Sequence, residues 1–224
     1  MTTVPQSHPS MTSAPPPVGE QFDDLEQQQE ACSLGMWVFL CTEILLFGGL
    51  FLAYTVYRHA YPRAFHAASH DAEYWIGTAN TAVLLVSSLW MALAVHCART
   101  GRRRPLLLFL ALTLLFGLAF LGLKGLEYYL DFVKLEVPGI NLPVADAFSR
   151  QKAMFWTLYF FMTGLHALHL TIGCGLVALI LILAWRSGYN ARHNEPVVVT
   201  GLYWHFIDIV WVFLYPLIYL PGRH

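Results

Sequence analysis

The chain has 224 residues, of which 57% are apolar and only 12% are charged, and its formal net charge is −1 at pH 7. The charged share is about half that of an ordinary soluble domain. The composition therefore excludes a soluble enzyme, and the charge balance excludes a nucleic-acid-binding protein, which needs a basic surface. It is typical of a helical protein that crosses a membrane several times.

Residues 1–32 are predicted to form a disordered tail, which is rich in Pro and Gln and becomes acidic and helix-prone towards its end. Positions 1–30 contain neither a basic residue nor an apolar core, so the tail is not a secretory signal. The four cysteines form no CxxC pair, which favours buried apolar side chains over metal ligands or disulfides.

Five apolar stretches follow, and each exceeds the roughly 20 helical residues that cross a bilayer. They run near 33–57, 74–98, 105–130, 152–185 and 196–220. Because they are continuously apolar rather than alternating, they favour helices over the strands of a membrane β-barrel. The sequence therefore predicts an all-α fold, an integral membrane bundle of five transmembrane helices formed by residues 33–224.

Five spans place the two termini on opposite sides of the membrane. The basic residues outside the spans divide evenly between the sides, but four of them lie between Arg99 and Arg104 in a very short connection. Short connections carry most weight in the positive-inside rule, so the N-terminus is predicted to be cytoplasmic. Trp and Tyr at span ends, among them Tyr54 and Tyr219, suit the aromatic belts of the two membrane interfaces.

Charged or ionisable side chains inside a span cost roughly 2.5–3.5 kcal/mol each on insertion scales, so they indicate a function or a partner. The candidates are Glu43, Lys124, Glu127, His166, His169, His205 and Asp208. Glu43 has no basic neighbour on its own helix. It either carries a proton or pairs with another helix, and a proton-handling role and a structural hydrogen bond both remain open. Lys124 and Glu127 are three residues apart and are predicted to pair, with Asp131 one turn further.

The fourth span carries Thr163, His166, His169 and Gly173 as one stripe, in which Gly164 and Gly173 mark sites of close helix packing. The fifth span carries His205 and Asp208 on one face. Three histidines could ligate a haem or a metal, but none has the HExxH spacing. An interhelical hydrogen-bond network is the favoured interpretation, and no catalytic or metal-binding residue is predicted.

Four segments resemble one family, the subunit III of cytochrome c oxidase. The segment 159–173 reads YFFMTGLHALHLTIG and resembles the family's TGxHxxHxxxG helix. The segment 203–215 reads YWHFIDIVWVFLY and resembles its final helix. MWVFLCTEILLF at 36–47 looks like its helix with a buried glutamate, and LKGLEYY at 123–129 resembles its "EY" helix end. The motifs occur in the family's order over residues 33–220.

The resemblance implies an accessory subunit of a haem–copper oxidase in the bacterial inner membrane, with a periplasmic C-terminus. It implies that haem and copper are held by partner subunits and that this chain holds phospholipid but no redox centre. Subunit I is the main expected contact, with subunit II and a small subunit IV as further candidates, and cytochrome c or another donor reaches the complex through other subunits. Glu43 matches the family's buried carboxylate. The family's other intramembrane polar positions are matched by Glu127, His166, His169, His205 and Asp208.

Many members of this family have seven helices and hold lipid in a cleft between the first two and the last five. This chain lacks the first two, which places that cleft in question unless another subunit completes it. Glu43 and the YWHF sequence resemble the cytochrome c branch, so an aa3-type cytochrome c oxidase is predicted. The alternatives are a subunit III of a quinol oxidase, a homologue associated with nitric oxide reductase, a stand-alone haem-binding electron carrier and a small transporter.

Overall fold

The computed structural model describes residues 25–134, 137–142, 145–186 and 195–223, and within them the chain forms helices and no strand. The α-helices are α1 (Leu25–Ala60), α2 (Pro62–Asp71), α3 (Tyr74–Arg99), α4 (Arg103–Val133), α5 (Ala147–Arg186) and α6 (Glu195–Tyr219), followed by a 3-10 turn at Pro221–Arg223. All but α2 are long and apolar enough to cross a membrane. The predicted all-α fold with five transmembrane helices is confirmed.

The five predicted spans coincide with the five long helices, but the helices extend further. α1 begins at Leu25 rather than near Ser33, so residues 25–32 of the predicted tail are helical, whereas residues 1–24 lie outside the described residues. Glu, Gln, Leu and Ala dominate this stretch, and they are strong helix formers that need no apolar pattern.

The start of α5 is fixed by a local cap rather than by apolar sequence. It begins at Ala147, where the backbone N–H of Ser149 donates to Asp146 Oδ1 at 2.8 Å and the Ser149 hydroxyl accepts from the backbone N–H of Asp146 at 3.0 Å. This reciprocal arrangement satisfies donors that the first turn of a helix leaves free. The hydrogen bonds from Ser149 also lower the pKa of the exposed Asp146 carboxyl.

The short helix α2 was not predicted, because its ten residues read as a polar connection. Pro62 at its first turn starts the helix, and it buries an apolar face against α5. Phe65 packs edge-on against Tyr54 and Phe155, with ring centroids 5.4 and 5.6 Å away. The hydroxyl of Ser69 donates to the carbonyl of Ile218 at 2.6 Å, which ties α2 to the end of α6.

Helix α6 lies at the centre of the bundle and α1 at its edge. In the most apolar 18-residue window of each helix, 61% of the residues are buried in α6 but only 11% in α1. α6 contacts α3, α5 and α1, while α4 packs against α3 and α5. The largest fully buried side chains include Trp156, Tyr159, Trp204, Trp211 and Tyr219. The ends of α4 and α6 and the starts of α3 and α5 share one side, called here the C-terminal side.

Two glycines allow the indole of Trp204 to lie deep in the bundle. A Cβ at Gly117 would lie 2.7 Å from the Trp204 ring, and one at Gly173 would lie 3.1 Å from Ile207 and 3.3 Å from Trp204. Small residues at such contacts permit close helix approach in membrane proteins. At Gly164 the nearest group is the Tyr128 hydroxyl, at the ordinary contact distance of 3.7 Å.

Candidate functional site

The most polar part of the interior is a charge cluster towards the C-terminal side of the bundle. Lys124 Nζ lies 3.1 Å from Glu127 Oε2, and the two side chains are only 2% and 0% exposed. The ammonium also donates to the hydroxyl oxygens of Tyr159 at 3.0 Å and Tyr219 at 2.9 Å. Removal of two charges from water is tolerated only where the partners and hydrogen bonds are good. This cluster meets that requirement with groups from α4, α5 and α6.

The two tyrosines connect the lysine to its carboxylates. The hydroxyls of Tyr159 and Tyr219 lie 2.6 and 2.5 Å from Glu127 Oε1. Tyr159 also contacts Asp131 Oδ2 at 3.0 Å. The ammonium lies 4.6 Å from the centre of the Tyr159 ring, within the range of a cation–π interaction. The cluster is therefore one hydrogen-bonded unit, which the sequence could show only as a pair on α4.

A second polar contact joins the edge helix α1 to α5. His169 Nε2 lies 3.0 Å from Glu43 Oε2, and His169 Nδ1 lies 2.8 Å from the carbonyl oxygen of Leu165. A carbonyl oxygen only accepts, so Nδ1 carries a proton. The contact between Nε2 and the carboxyl then holds a second proton, either as an imidazolium with a carboxylate or as a neutral imidazole with a carboxylic acid. The structure thus pairs Glu43 with a residue of another helix.

His166 lies deeper than His169 and is enclosed by aromatic rings. It is 1% exposed, and its ring centroid lies 5.0 Å from that of Trp211 and 5.6 Å from that of Phe120. Among the described residues, neither of its ring nitrogens has a hydrogen-bond partner. His166 therefore acts as a packing residue between α4, α5 and α6.

The two candidates on α6 face α3. His205 Nδ1 lies 2.9 Å from the hydroxyl of Ser88, which makes an interhelical hydrogen bond. Asp208 is 4% exposed, and in the described part of the chain neither of its carboxyl oxygens makes a hydrogen bond of normal geometry. The Ser88 hydroxyl, which also contacts His205, is the polar group beside this carboxyl.

The histidines do not fit a set of haem or metal ligands. Both ring nitrogens of His169 are engaged in hydrogen bonds, and His166 is shielded by Phe120 and Trp211. Within the described ranges, no three His, Cys, Asp or Glu side chains lie together as a metal-binding group. A haem ligand needs a free ring nitrogen and an open coordination path; His169 lacks the first and the enclosed ring of His166 lacks the second.

Three residues that complete these contacts were not singled out in the sequence. Tyr159 and Tyr219 come from α5 and α6, and Ser88 comes from α3. Tyr219 was predicted for an interfacial belt but is fully buried. A buried tyrosine needs a partner for its hydroxyl, and the Glu127 carboxylate of α4 provides one for both Tyr159 and Tyr219.

The fold and the site together define a class of protein. It is a helical membrane protein with several spans, in which buried polar groups pair with one another. The family model for cytochrome c oxidase subunit III matches residues 23–223. The chain belongs to this family and is a subunit III of a haem–copper oxidase, and hence a multi-pass membrane protein that assembles with other oxidase subunits.

Similar proteins are bacterial and of matching length. A protein named "Probable quinol oxidase subunit 3" from Staphylococcus saprophyticus is 29% identical over 201 residues, which are 90% of this chain and 94% of that protein. The "Cytochrome bo(3) ubiquinol oxidase subunit 3" of Pseudomonas aeruginosa is 28% identical over 210 residues, 92% of each chain. A Staphylococcus haemolyticus "Probable quinol oxidase subunit 3" is 26% identical over 200 residues, 89% of this chain and 94% of its own.

Proposed function

We propose that this chain is the accessory subunit III of a bacterial quinol oxidase. It packs on the catalytic subunit I, stabilises it during turnover and supports proton uptake, while haem and copper stay in the partner subunits. The observation that carries this proposal is the internal pairing of the membrane-buried polar groups. Lys124 is matched by Glu127, and His169 is matched by Glu43. Groups paired in this way are not available to bind a redox centre.

The donor is proposed from the relatives, because their names specify quinol or ubiquinol oxidases. The cytochrome c type expected from Glu43 and the YWHF sequence is not supported by these relatives. We therefore take quinol as the electron donor of the whole complex. The quinol reaches the complex through other subunits.

Purification of the oxidase through an affinity tag on this chain tests both the accessory role and the electron donor. We expect a haem-bearing subunit I to copurify and the complex to oxidise ubiquinol with oxygen. Oxidation of reduced cytochrome c but not of ubiquinol would overturn the donor proposal. A stable preparation of the tagged chain without any haem-bearing partner would overturn the accessory role. A complex assembled without this chain should lose activity faster over repeated turnover than the complete one.

The N-terminus is proposed to be cytoplasmic and the C-terminus periplasmic. The Arg99–Arg104 cluster supports this orientation, because it covers the end of α3, the start of α4 and the short connection between them. Alkaline phosphatase is active only outside the cytoplasm, so a C-terminal fusion should be active in cells. An active fusion at the connection between α3 and α4 would reverse the orientation.

Phospholipid is proposed to occupy a groove between α1 and α6. The groove has a volume of about 500 Å³ and is lined by apolar side chains such as Trp37, Phe47 and Phe213. Such a groove suits an acyl chain, and two helices of this chain form it by themselves. Gly48 also lines it, and no atom lies within 4 Å of a Cβ built there. Native mass spectrometry should show a retained phospholipid in the wild-type complex and its loss in Gly48→Phe, whereas equal retention would refute the site.

A further inference from the structure

The cluster on α4 contains more acidic groups than its lysine can neutralise. Glu127 and Asp131 are both 0% exposed. The base of the cluster is Lys124, which pairs directly with Glu127 and reaches Asp131 through the hydroxyl of Tyr159. The next base along the helix, Lys134, is already paired with Glu73 at 2.5 Å. If both carboxyls were ionised, the cluster would carry one more negative than positive charge on side chains with no exposed surface. Such a charge is too costly to keep, so a buried carboxyl in this position takes up a proton.

The hydrogen bonds of Tyr159 require the same extra proton. Its hydroxyl has one proton to donate and two lone pairs to accept with. It accepts from Lys124 Nζ and lies within bonding distance of both Glu127 Oε1 at 2.6 Å and Asp131 Oδ2 at 3.0 Å. It can donate to only one of the two carboxyls. The other carboxyl must therefore donate to Tyr159, and for that it must be protonated.

The surroundings assign the proton to Asp131. Glu127 Oε2 forms an ion pair with the ammonium at 3.1 Å, without a hydrogen bond of normal geometry, and its Oε1 accepts from both tyrosine hydroxyls, so three groups stabilise its anion. Asp131 has only the contact with Tyr159, and within the described residues its Oδ1 has no partner. An unpaired carbonyl oxygen of a carboxylic acid costs far less than an unpaired carboxylate oxygen.

Asp131 also lies close to water. It is two residues from the end of α4 at Val133, and the side chain of Lys134 in the next turn is 41% exposed. The remaining titratable groups beside it are Glu127, Lys124 and Tyr159 of the cluster itself. We infer that Asp131 is a proton-binding site, holding one proton that exchanges with water on the C-terminal side of the bundle. This inference does not depend on which electron donor the oxidase uses.

Infrared spectroscopy of the purified oxidase complex tests the inference, because a protonated carboxyl has a C=O stretching band that a carboxylate lacks. The difference between wild type and Asp131→Asn should contain this band, and the band should shift after transfer to D2O. Asparagine is neutral and can donate to Tyr159, so this variant should assemble normally. Asp146→Asn is the matched control: its exposed carboxyl is ionised, so the difference from wild type should lack the band.

Aspartate labelled with carbon-13 at the side-chain carboxyl makes the assignment without a substitution. In the wild-type complex the band should move to lower frequency with the label, and this shifting component should vanish in Asp131→Asn. Absence of such a component would place the proton on Glu127 or remove it from the cluster, and the inference would be wrong. A band that persists unshifted in D2O would refute the exchange with water.

Discussion

Replacement of Lys124 by methionine is the sharpest test of the buried cluster. The substitution keeps the length of the side chain but removes the charge that faces Glu127, a residue with no exposed surface. Loss of one partner from a buried ion pair typically costs about 3–5 kcal/mol, because the remaining charge is left uncompensated. An average interhelical hydrogen bond in a membrane protein contributes only about 0.6 kcal/mol.

A second estimate of the free energy lost in Lys124→Met gives a similar magnitude. If the remaining carboxyl escapes its charge by binding a proton, that proton must be taken from a solution at pH 7. For a carboxyl with an ordinary pKa of about 4.3, this costs roughly 3.7 kcal/mol, since each pH unit corresponds to about 1.4 kcal/mol. We therefore expect Lys124→Met to lower the free energy of unfolding by about 3–4 kcal/mol at neutral pH. The defect relative to wild type should shrink as the pH falls, because protonation then becomes easier.

The assay is denaturant-driven unfolding of the purified complex in mixed micelles. The unfolding of this chain is monitored by its release from the complex. The double variant Lys124→Met with Glu127→Gln removes both charges and should recover most of the lost stability. A cycle of the two single variants and the double variant isolates the interaction. If the double variant were as unstable as Lys124→Met alone, the uncompensated charge would not be the cause, and the reasoning would fail.

Two further substitutions test helix contacts by the same measurement. Gly117→Ala forces a methyl group into the Trp204 ring, so it should cost about 1–3 kcal/mol, whereas Gly122→Ala on the same helix meets no atom within 4 Å and should be neutral. Equal effects at both glycines would show that helix propensity, not the contact, decides. Glu43→Gln should cost less than about 1 kcal/mol, since its amide can still donate to Nε2 of His169. A loss as large as that of Glu43→Leu would mean that a charged carboxylate is required.

The transmembrane helices could be predicted because their signal is local. A run of more than 20 apolar residues between charged ends specifies a span without any knowledge of its neighbours. Residues 25–32 and the helix α2 lack that signal. The apolar face of α2 becomes evident only where Phe65 meets Tyr54 and Phe155 and where Ser69 meets the end of α6.

The polar contacts also divide into those that a local sequence pattern predicts and those that it does not. Lys124 and Glu127 are three residues apart on one helix, so their pairing follows from helical geometry. Glu43 and His169 are separated by 126 positions, and no pattern within either helix indicates the other. Tyr54 and Tyr219 stand near span ends, where aromatic belts are expected, yet both are fully buried because α2 and the C-terminal turn cover that side of the bundle.

The positions of the buried charges bear on how the subunit meets its partners. Lys124 is neutralised by its own helix and two tyrosines, and Glu43 on the otherwise exposed helix α1 points inward to His169. The outward surface of α1 is instead lined with large apolar side chains, including Leu45 and Leu52. A surface of this kind suits contact with lipid or with another membrane subunit without ion pairs inside the bilayer. If another oxidase subunit covers this surface, its association depends on packing, so substitutions of outward leucines should weaken assembly more than Glu43→Gln does.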